Sequence, residues 1–214
     1  MKVVSFTTNR RQGDARALGA LERLLKRRGW PAAVATAEQV HGHRIIVVPT
    51  LRKSTKFKGA DGLLTHQPDQ PLAIFTADCA AIFLADRAEC VVGVLHAGWR
   101  GARAGILRKA VRLIRRRWGI PAKALRAWLG PSIGPCCFEV GWDVARYFPR
   151  TRRLKNGRWH VDLASELRAQ AQQLGLQFLS NRAAASCTMH GRRFYSYRRD
   201  GTHKRMASVI MKKV

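Results

Sequence analysis

Two apolar runs, Ala80–Ala85 and Cys90–Leu95, flank the polar tetrapeptide Asp86-Arg87-Ala88-Glu89. Short apolar runs around a polar turn predict an antiparallel hairpin. Pairing Ala85 with Cys90 and counting outward places Cys79 opposite His96. Directly opposed residues on paired strands have β-carbons roughly 4.5–5.5 Å apart. A thiol and an imidazole at that separation can share a metal ion or a proton. A slip of one residue would turn the two side chains to opposite faces.

The chain has 214 residues, enough for one domain with a real core. No internal repeat or low-complexity linker divides it, so a single domain over 1–214 is expected. No stretch approaches the roughly 18 consecutive apolar residues of a membrane span. The apolar run in Met1–Phe6 is shorter than the core of an export signal. These features predict a soluble, cytoplasmic protein with no membrane partner. Five cysteines (Cys79, Cys90, Cys136, Cys137 and Cys187) are an odd number, which argues against a disulfide framework. In a reducing compartment they are packing residues or chemistry.

The formal net charge of +27 is extreme. It is compatible with weak, non-specific nucleic-acid binding through phosphate contacts. The basic residues recur along the whole chain, however, as at Arg27-Arg28, Arg115-Arg116-Arg117 and Arg198-Arg199. A binding tail would concentrate them in one block, so solvated helix faces are the favoured explanation.

Periodicity places strands at Val3–Thr7, Arg44–Pro49, Leu72–Phe75, Ala127–Leu129, Phe194–Tyr197 and Met206–Met211, with a basic loop over Arg52–Lys58. Asp14 is expected to cap a helix that runs to about Arg28, with Ala17, Leu18, Leu21, Leu24 and Leu25 on its apolar face. Further helices are predicted over Ala102–Trp118, Glu139–Phe148 and Ala164–Leu174. Asn156-Gly157 between Arg153–Lys155 and Arg158–Val161 is a type I′ hairpin signal. Hairpins mixed with single helices point to an α+β class and a single-domain α/β sandwich rather than a doubly wound sheet.

Several segments carry residues suited to chemistry. In Gln39-Val40-His41-Gly42-His43 the two histidines alternate, so one of them can face a given site. His41 is favoured because Gly42 permits close backbone approach. Asp78 in Thr76-Ala77-Asp78-Cys79 could orient a histidine, hold a substrate hydroxyl or form a turn. His96-Ala97-Gly98-Trp99-Arg100-Gly101 joins a strand end to a helix start. There, free amides and Arg100 could hold an anion. Ser132, Cys136 and Cys137 lie in the rigid loop Gly130–Glu139. Ser132 could bind a ligand or shape the turn, and the vicinal cysteines suit redox, metal or packing roles. Phe194–Gly201 mixes aromatics with Arg198, Arg199 and Asp200, a combination suited to a base and a phosphate. His41, Cys79 and His96 make a three-ligand zinc set, which leaves a fourth position open as catalytic zinc sites do.

In their order and spacing, Gln39–Gly42, Ala60-Asp61-Gly62, Thr76–Cys79, His96–Gly101, Gly130–Gly141 and Phe194–Ala207 resemble one family, the bacterial laccase-domain proteins. Its members are also called multicopper polyphenol oxidase-like proteins, purine nucleoside phosphorylase-like proteins or peptidoglycan editing factor. The resemblance implies a sandwich similar to the catalytic domain of cytotoxic necrotizing factor. It implies one metal site at His41, Cys79 and His96, with zinc as the ion and copper as the less favoured alternative. It implies phosphorolysis of purine nucleosides (adenosine, inosine, guanosine and methylthioadenosine) together with adenosine deamination, by a monomer or homodimer. One ligand set and few spare histidines disfavour multicopper oxidation. The sequence departs from the family pattern in a shortened N-terminal segment, at Ala81, and at Thr202-His203-Lys204-Arg205. The family's N-terminal substrate-binding arginine has only Arg23 as a weak counterpart.

The leading expectation is therefore a zinc-dependent purine nucleoside phosphorylase. In it Arg100 and Arg198 or Arg199 neutralise phosphate, while Asp78 or Asp200 holds ribose hydroxyls or serves as an acid. One rival is a hydrolase that edits peptidoglycan precursors, with Cys79 as nucleophile and His96 as base. The other is a non-enzymatic nucleic-acid-binding protein.

Overall fold

The computed structural model describes residues 2–16, 18–180 and 186–214, apart from the Leu18 side chain. In chain order its first half comprises β1 (Lys2–Thr7), α1 (Leu18–Arg27), β2 (Ala35–Ala37), β3 (Ile45–Val47), β4 (Thr55–Phe57), β5 (Gly62–Thr65) and β6 (Leu72–Thr76). Then come β7 (Ala80–Asp86), β8 (Val92–Ala97), α2 (Trp99–Arg103), α3 (Ile106–Trp118) and β9 (Leu125–Leu129). The chain continues through β10 (Glu139–Val140), α4 (Trp142–Ala145), β11 (Thr151–Arg153), β12 (Trp159–Val161), α5 (Leu163–Gln173) and β13 (Gln177–Phe178). It ends with α6 (Tyr197–Asp200) and β14 (Met206–Lys213).

Two mixed sheets carry the fold, in the orders β1-β14-β6-β2-β4 and β13-β9-β7-β8-β5-β3, with a small third sheet β10-β12-β11. Successive side chains on a strand face opposite ways, and the core divides accordingly. Ala81, Phe83 and Ala85 of β7 pack with Leu72, Ile74 and Ile210 between the sheets. Ala80, Ile82 and Leu84 face the other way, against Ile106, Ala110, Ile114 and Leu167 of α3 and α5. On the far side Ala73, Ala207 and Val209 pack with Leu21 and Leu25 of α1. The layers thus run helix, sheet, sheet, helix.

The hairpin forms, in a register two residues from the expected one. Ala81 pairs with His96 and Ala80 with Ala97, so Cys79 and His96 are not opposed. The cause is the turn. The Asp86 carboxylate accepts from Val91 N at 2.6 Å and Ala88 N at 3.1 Å, and Glu89 takes a positive φ of 56°. The loop therefore closes at Asp86–Val91, and Cys90 is an exposed turn residue rather than a strand start. A two-residue shift preserves the facing of every side chain.

Other expectations change for local reasons. Asp14 does not cap α1. Its carboxylate accepts from Arg16 N and Arg205 N, and the helix begins at Leu18. Ala17 lies outside the described residues. The long helix over 102–118 is two helices, parted where Gly105 takes φ 72°. The segment 139–148 opens as a strand and is helical only over Trp142–Ala145. At Asn156-Gly157 only the glycine has positive φ, and Gly157 N donates to Leu154 O, so the turn is not type I′. The expected strand Phe194–Tyr197 is absent. Ser196 instead accepts from Arg199 N and caps α6. The basic loop over Arg52–Lys58 contains β4, which pairs in parallel with β2.

Candidate active site

A pocket of about 980 Å³ opens at one end of the sandwich. The end of β6, the start of β7 and the end of β8 meet there. His41, Asp78, Cys79, His96, Arg100 and Arg198 all line it. Donor atoms of His41, Cys79 and His96 lie within 4.8 Å of one another. The His41 and His96 rings meet edge to face, with centroids 4.9 Å apart. Beyond the last ladder pair, Gly98 sits against the thiol, where a β-carbon would come within 2.9 Å of Cys79 Sγ.

Asp61 builds this cluster. Its carboxylate is fully buried and lies 2.8 Å from His96 Nδ1. It also accepts from the backbone N–H groups of Val40, His41 and Gly42 at 2.8–3.2 Å. Those contacts hold His41 at φ 59°, in the left-handed region that a non-glycine residue seldom occupies. Gln39 secures the same loop. Its side chain donates to Phe75 O and accepts from Phe75 N, both at 2.7 Å, so it behaves as an added strand residue.

Burial raises the Asp61 pKa, but the hydrogen bonds to His96 and to the Gly42 and Val40 amides outweigh it and hold the carboxyl below its usual range. Burial likewise opposes ionisation of Cys79, yet hydrogen bonding and charge from His41 and His96 bring the thiol down to about 6. Burial disfavours the charged form of His96, while Asp61 and Cys79 raise it to about 9. Before any ion binds, the cluster therefore favours a thiolate beside an imidazolium. With Nδ1 held by Asp61, His96 has Nε2 left for a ligand. Two imidazoles and a thiolate fit zinc. They also match the strong ligands of a blue-copper site.

The other expected residues separate. Asp78 has its oxygens occupied by the Thr188 hydroxyl at 2.6 Å and Arg198 N at 2.7 Å. The Arg198 guanidinium donates to Glu139 O and lies over the Phe138 ring. Arg199 is turned into the protein. It donates to the carbonyls of Thr188, Met189, Gly191 and Phe194 and pairs with Asp200 at 2.7 Å. Asp200 also meets Arg10 at 3.4 Å. Ser132 is buried and forms a parallel bridge with Cys187. Arg199, Asp200 and Ser132 do not line the pocket, and neither does Arg23. Arg16 and Arg205 do. Sequence reasoning missed both, along with Asp61, whose motif Ala60-Asp61-Gly62 was the available signal.

The family model described as "Multi-copper polyphenol oxidoreductase laccase" matches residues 5–213. A protein of Xylella fastidiosa (strain Temecula1) named purine nucleoside phosphorylase is 33% identical over 199 residues, covering 87% of this chain and 75% of the relative. Purine nucleoside phosphorylase YfiH of Escherichia coli (strain K12) is 34% identical over 196 residues, covering 88% and 78%. The crystal structure of YlmD from Geobacillus stearothermophilus superposes with a TM-score of 0.87 at 28% identity, covering 99% of this chain and 92% of that one. That of the hypothetical protein YfiH from Bacillus licheniformis also gives 0.87, at 26% identity over 99% and 93%.

Proposed function

The chain belongs to the multi-copper polyphenol oxidoreductase laccase family, and on that premise we propose that it is a zinc-dependent purine nucleoside phosphorylase with adenosine deamination as a side activity. The observation that carries the reading is the open three-donor set of His41, Cys79 and His96 in a pocket it shares with Arg100. The names of the curated relatives support the nucleoside and phosphate as substrates.

The bound ion would supply Lewis acidity to a phosphate or water oxygen. The chain supplies the rest. Asp61 orients His96 and fixes the loop that carries His41. Arg100 faces the pocket as the cation for phosphate, and Arg16 and Arg205 add positive charge to its wall. Phe75, Phe138 and Tyr197 offer aromatic surface for a purine. Asp78 positions the wall by holding Thr188 and Arg198. In phosphorolysis a phosphate oxygen bonds to ribose C1′ as the C1′–N9 bond breaks, and the purine leaves with the bonding pair and takes a proton. In deamination water adds at C6 and ammonia departs. Laccase chemistry needs several coppers, which the donor set in this pocket does not serve.

The test is metal content of the purified protein with phosphate-dependent adenine release assayed on the same sample. Near-stoichiometric zinc with turnover is expected. A His96→Ala protein that keeps both metal and full phosphorolysis overturns the reading.

One observation favours a second reading. Asp61, His96 and Cys79 form a carboxylate–imidazole–thiol series of the kind that activates a cysteine nucleophile. That series would suit a hydrolase acting on peptidoglycan precursors. Rapid alkylation of Cys79 in protein as purified would favour it, whereas a zinc-bound thiolate is protected.

A further inference from the structure

We infer that Cys136, Cys137, Cys187 and His190 form a second metal site, closed and structural, that takes a zinc ion. The sequence suggests only one ligand set, because the two halves of this one lie about fifty residues apart. The structure gathers all four donor atoms within 4.8 Å of one another. His190 Nδ1 is 3.3 Å from Cys136 Sγ, and its Nε2 is 3.5 Å from Cys137 Sγ. Ligands of a tetrahedral zinc at about 2.0–2.3 Å stand roughly 3.3–3.8 Å apart, and one His190 nitrogen with the three sulfurs would supply the four.

The backbone is arranged for the sulfurs. Cys187 bridges Ser132, Thr188 N donates to Ser132 O at 3.0 Å, and Gly191 N donates to Cys187 O at 2.9 Å. Gly134 N donates to Cys187 Sγ at 3.2 Å. A β-carbon at Gly134 would come within 3.3 Å of Cys136 Sγ and 3.2 Å of Cys187 Cβ, so glycine leaves room for the cluster. Burial raises the Cys187 thiol, but the N–H groups of Gly134, His190 and Met189 outweigh it and lower it. Cys137 is pushed up to about 12, by burial first and then by the sulfurs of Cys136 and Cys187.

Four protein ligands leave no open position, unlike the three-ligand set in the pocket. None of the four residues lines the pocket. One of the two loops they join nevertheless builds its wall, and the other braces that wall from behind. Ile133 and Phe138 come from one, and Thr188, which holds Asp78, comes from the other. Zinc here would lock that wall together.

The test uses a His41→Ala/His96→Ala protein, which disables the pocket set and leaves this cluster whole. Folded protein, judged by circular dichroism, should retain one zinc per chain. Cobalt should replace that zinc with strong thiolate-to-metal absorption, and a chelator should lower Tm. Bound metal should also protect Cys136, Cys137 and Cys187 from alkylation. Folded protein that takes up neither zinc nor cobalt overturns the inference. So does zinc bound while these cysteines alkylate at an unchanged rate, or a disulfide recovered among them in place of metal. If the double variant does not fold, the unsubstituted protein serves: two zinc ions per chain are expected, falling to one in Cys136→Ser/Cys187→Ser, and a single zinc unaffected by that change overturns the inference.

Discussion

The Asp61 carboxylate lies 2.8 Å from His96 Nδ1, with both side chains buried, and the same carboxylate collects the amides of Val40, His41 and Gly42. One acid therefore orients one histidine and shapes the loop that carries the other. Asp61→Asn removes the charge and turns an amide group toward donors. Loss of a partner behind a ligand histidine typically weakens metal binding about 10–100-fold. Zinc affinity, measured against a competing chelator, is expected to fall within that range. An unchanged affinity would separate Asp61 from the metal.

Cys79 gives a pH signature. In metal-free protein its thiol titrates at about 6, and His96 at about 9. The thiolate is present above the first value and the imidazolium below the second, so the pair persists between them. Alkylation of Cys79, followed residue by residue by mass spectrometry, should reach half its plateau rate near pH 6. An unpaired thiol would do so near the ordinary cysteine value of about 8.5. Added zinc should suppress labelling at every pH in this window.

Much of this fold was legible because alternation and helical spacing report directly on faces. The hairpin of β7 and β8 is the clearest case. Its register was not legible, because the Asp86 side chain, rather than strand pairing, sets where the turn closes. Short strands such as β2 and β5 carry too few residues for a period to show. His41, Cys79 and His96 come together although the expected opposition of Cys79 and His96 fails, because a two-residue shift keeps both side chains on the same face. Asp61 was not legible, since a buried acid looks like any turn acid until its donors are seen. Arg199 misled for the opposite reason: an arginine beside aromatics suggests phosphate, but here backbone carbonyls take its guanidinium. His190 was overlooked because long-range contacts such as the bridge between Ser132 and Cys187 bring it to Cys136 and Cys137.

Two glycines on the hairpin strand and just beyond it separate site from scaffold. At Gly98 a β-carbon would meet Cys79 Sγ at 2.9 Å and His41 Cδ2 at 3.5 Å. At Gly93 it would overlap Leu64 Cδ2 and meet Leu63 O at 3.1 Å. Overpacking of this kind costs about 1–3 kcal/mol. Gly98→Ala should reduce zinc occupancy of the pocket set and turnover with a modest loss of Tm. Gly93→Ala should lower Tm and leave that occupancy intact. Equal effects of both on metal content would mean that the thiol is not confined by Gly98.

Arg100, together with Arg198 or Arg199, was expected to hold phosphate, and the surroundings of Arg100 and Arg199 now predict different outcomes. Arg100 is exposed, lines the pocket, lies 4.5 Å from the Trp99 ring and has no ion pair among the described residues. Arg100→Ala should raise the KM for phosphate several-fold with little change in Tm. Arg199 anchors the chain from Thr188 to Phe194 through four carbonyls. Hydrogen bonds involving a charged group contribute roughly 1.5–3 kcal/mol, so Arg199→Ala should lower stability by at least that amount. Its surviving folded fraction should show a near-normal KM for phosphate. Thermal denaturation paired with phosphate-dependent kinetics on both variants decides the matter. A raised phosphate KM in Arg199→Ala at unchanged Tm would return that arginine to the substrate.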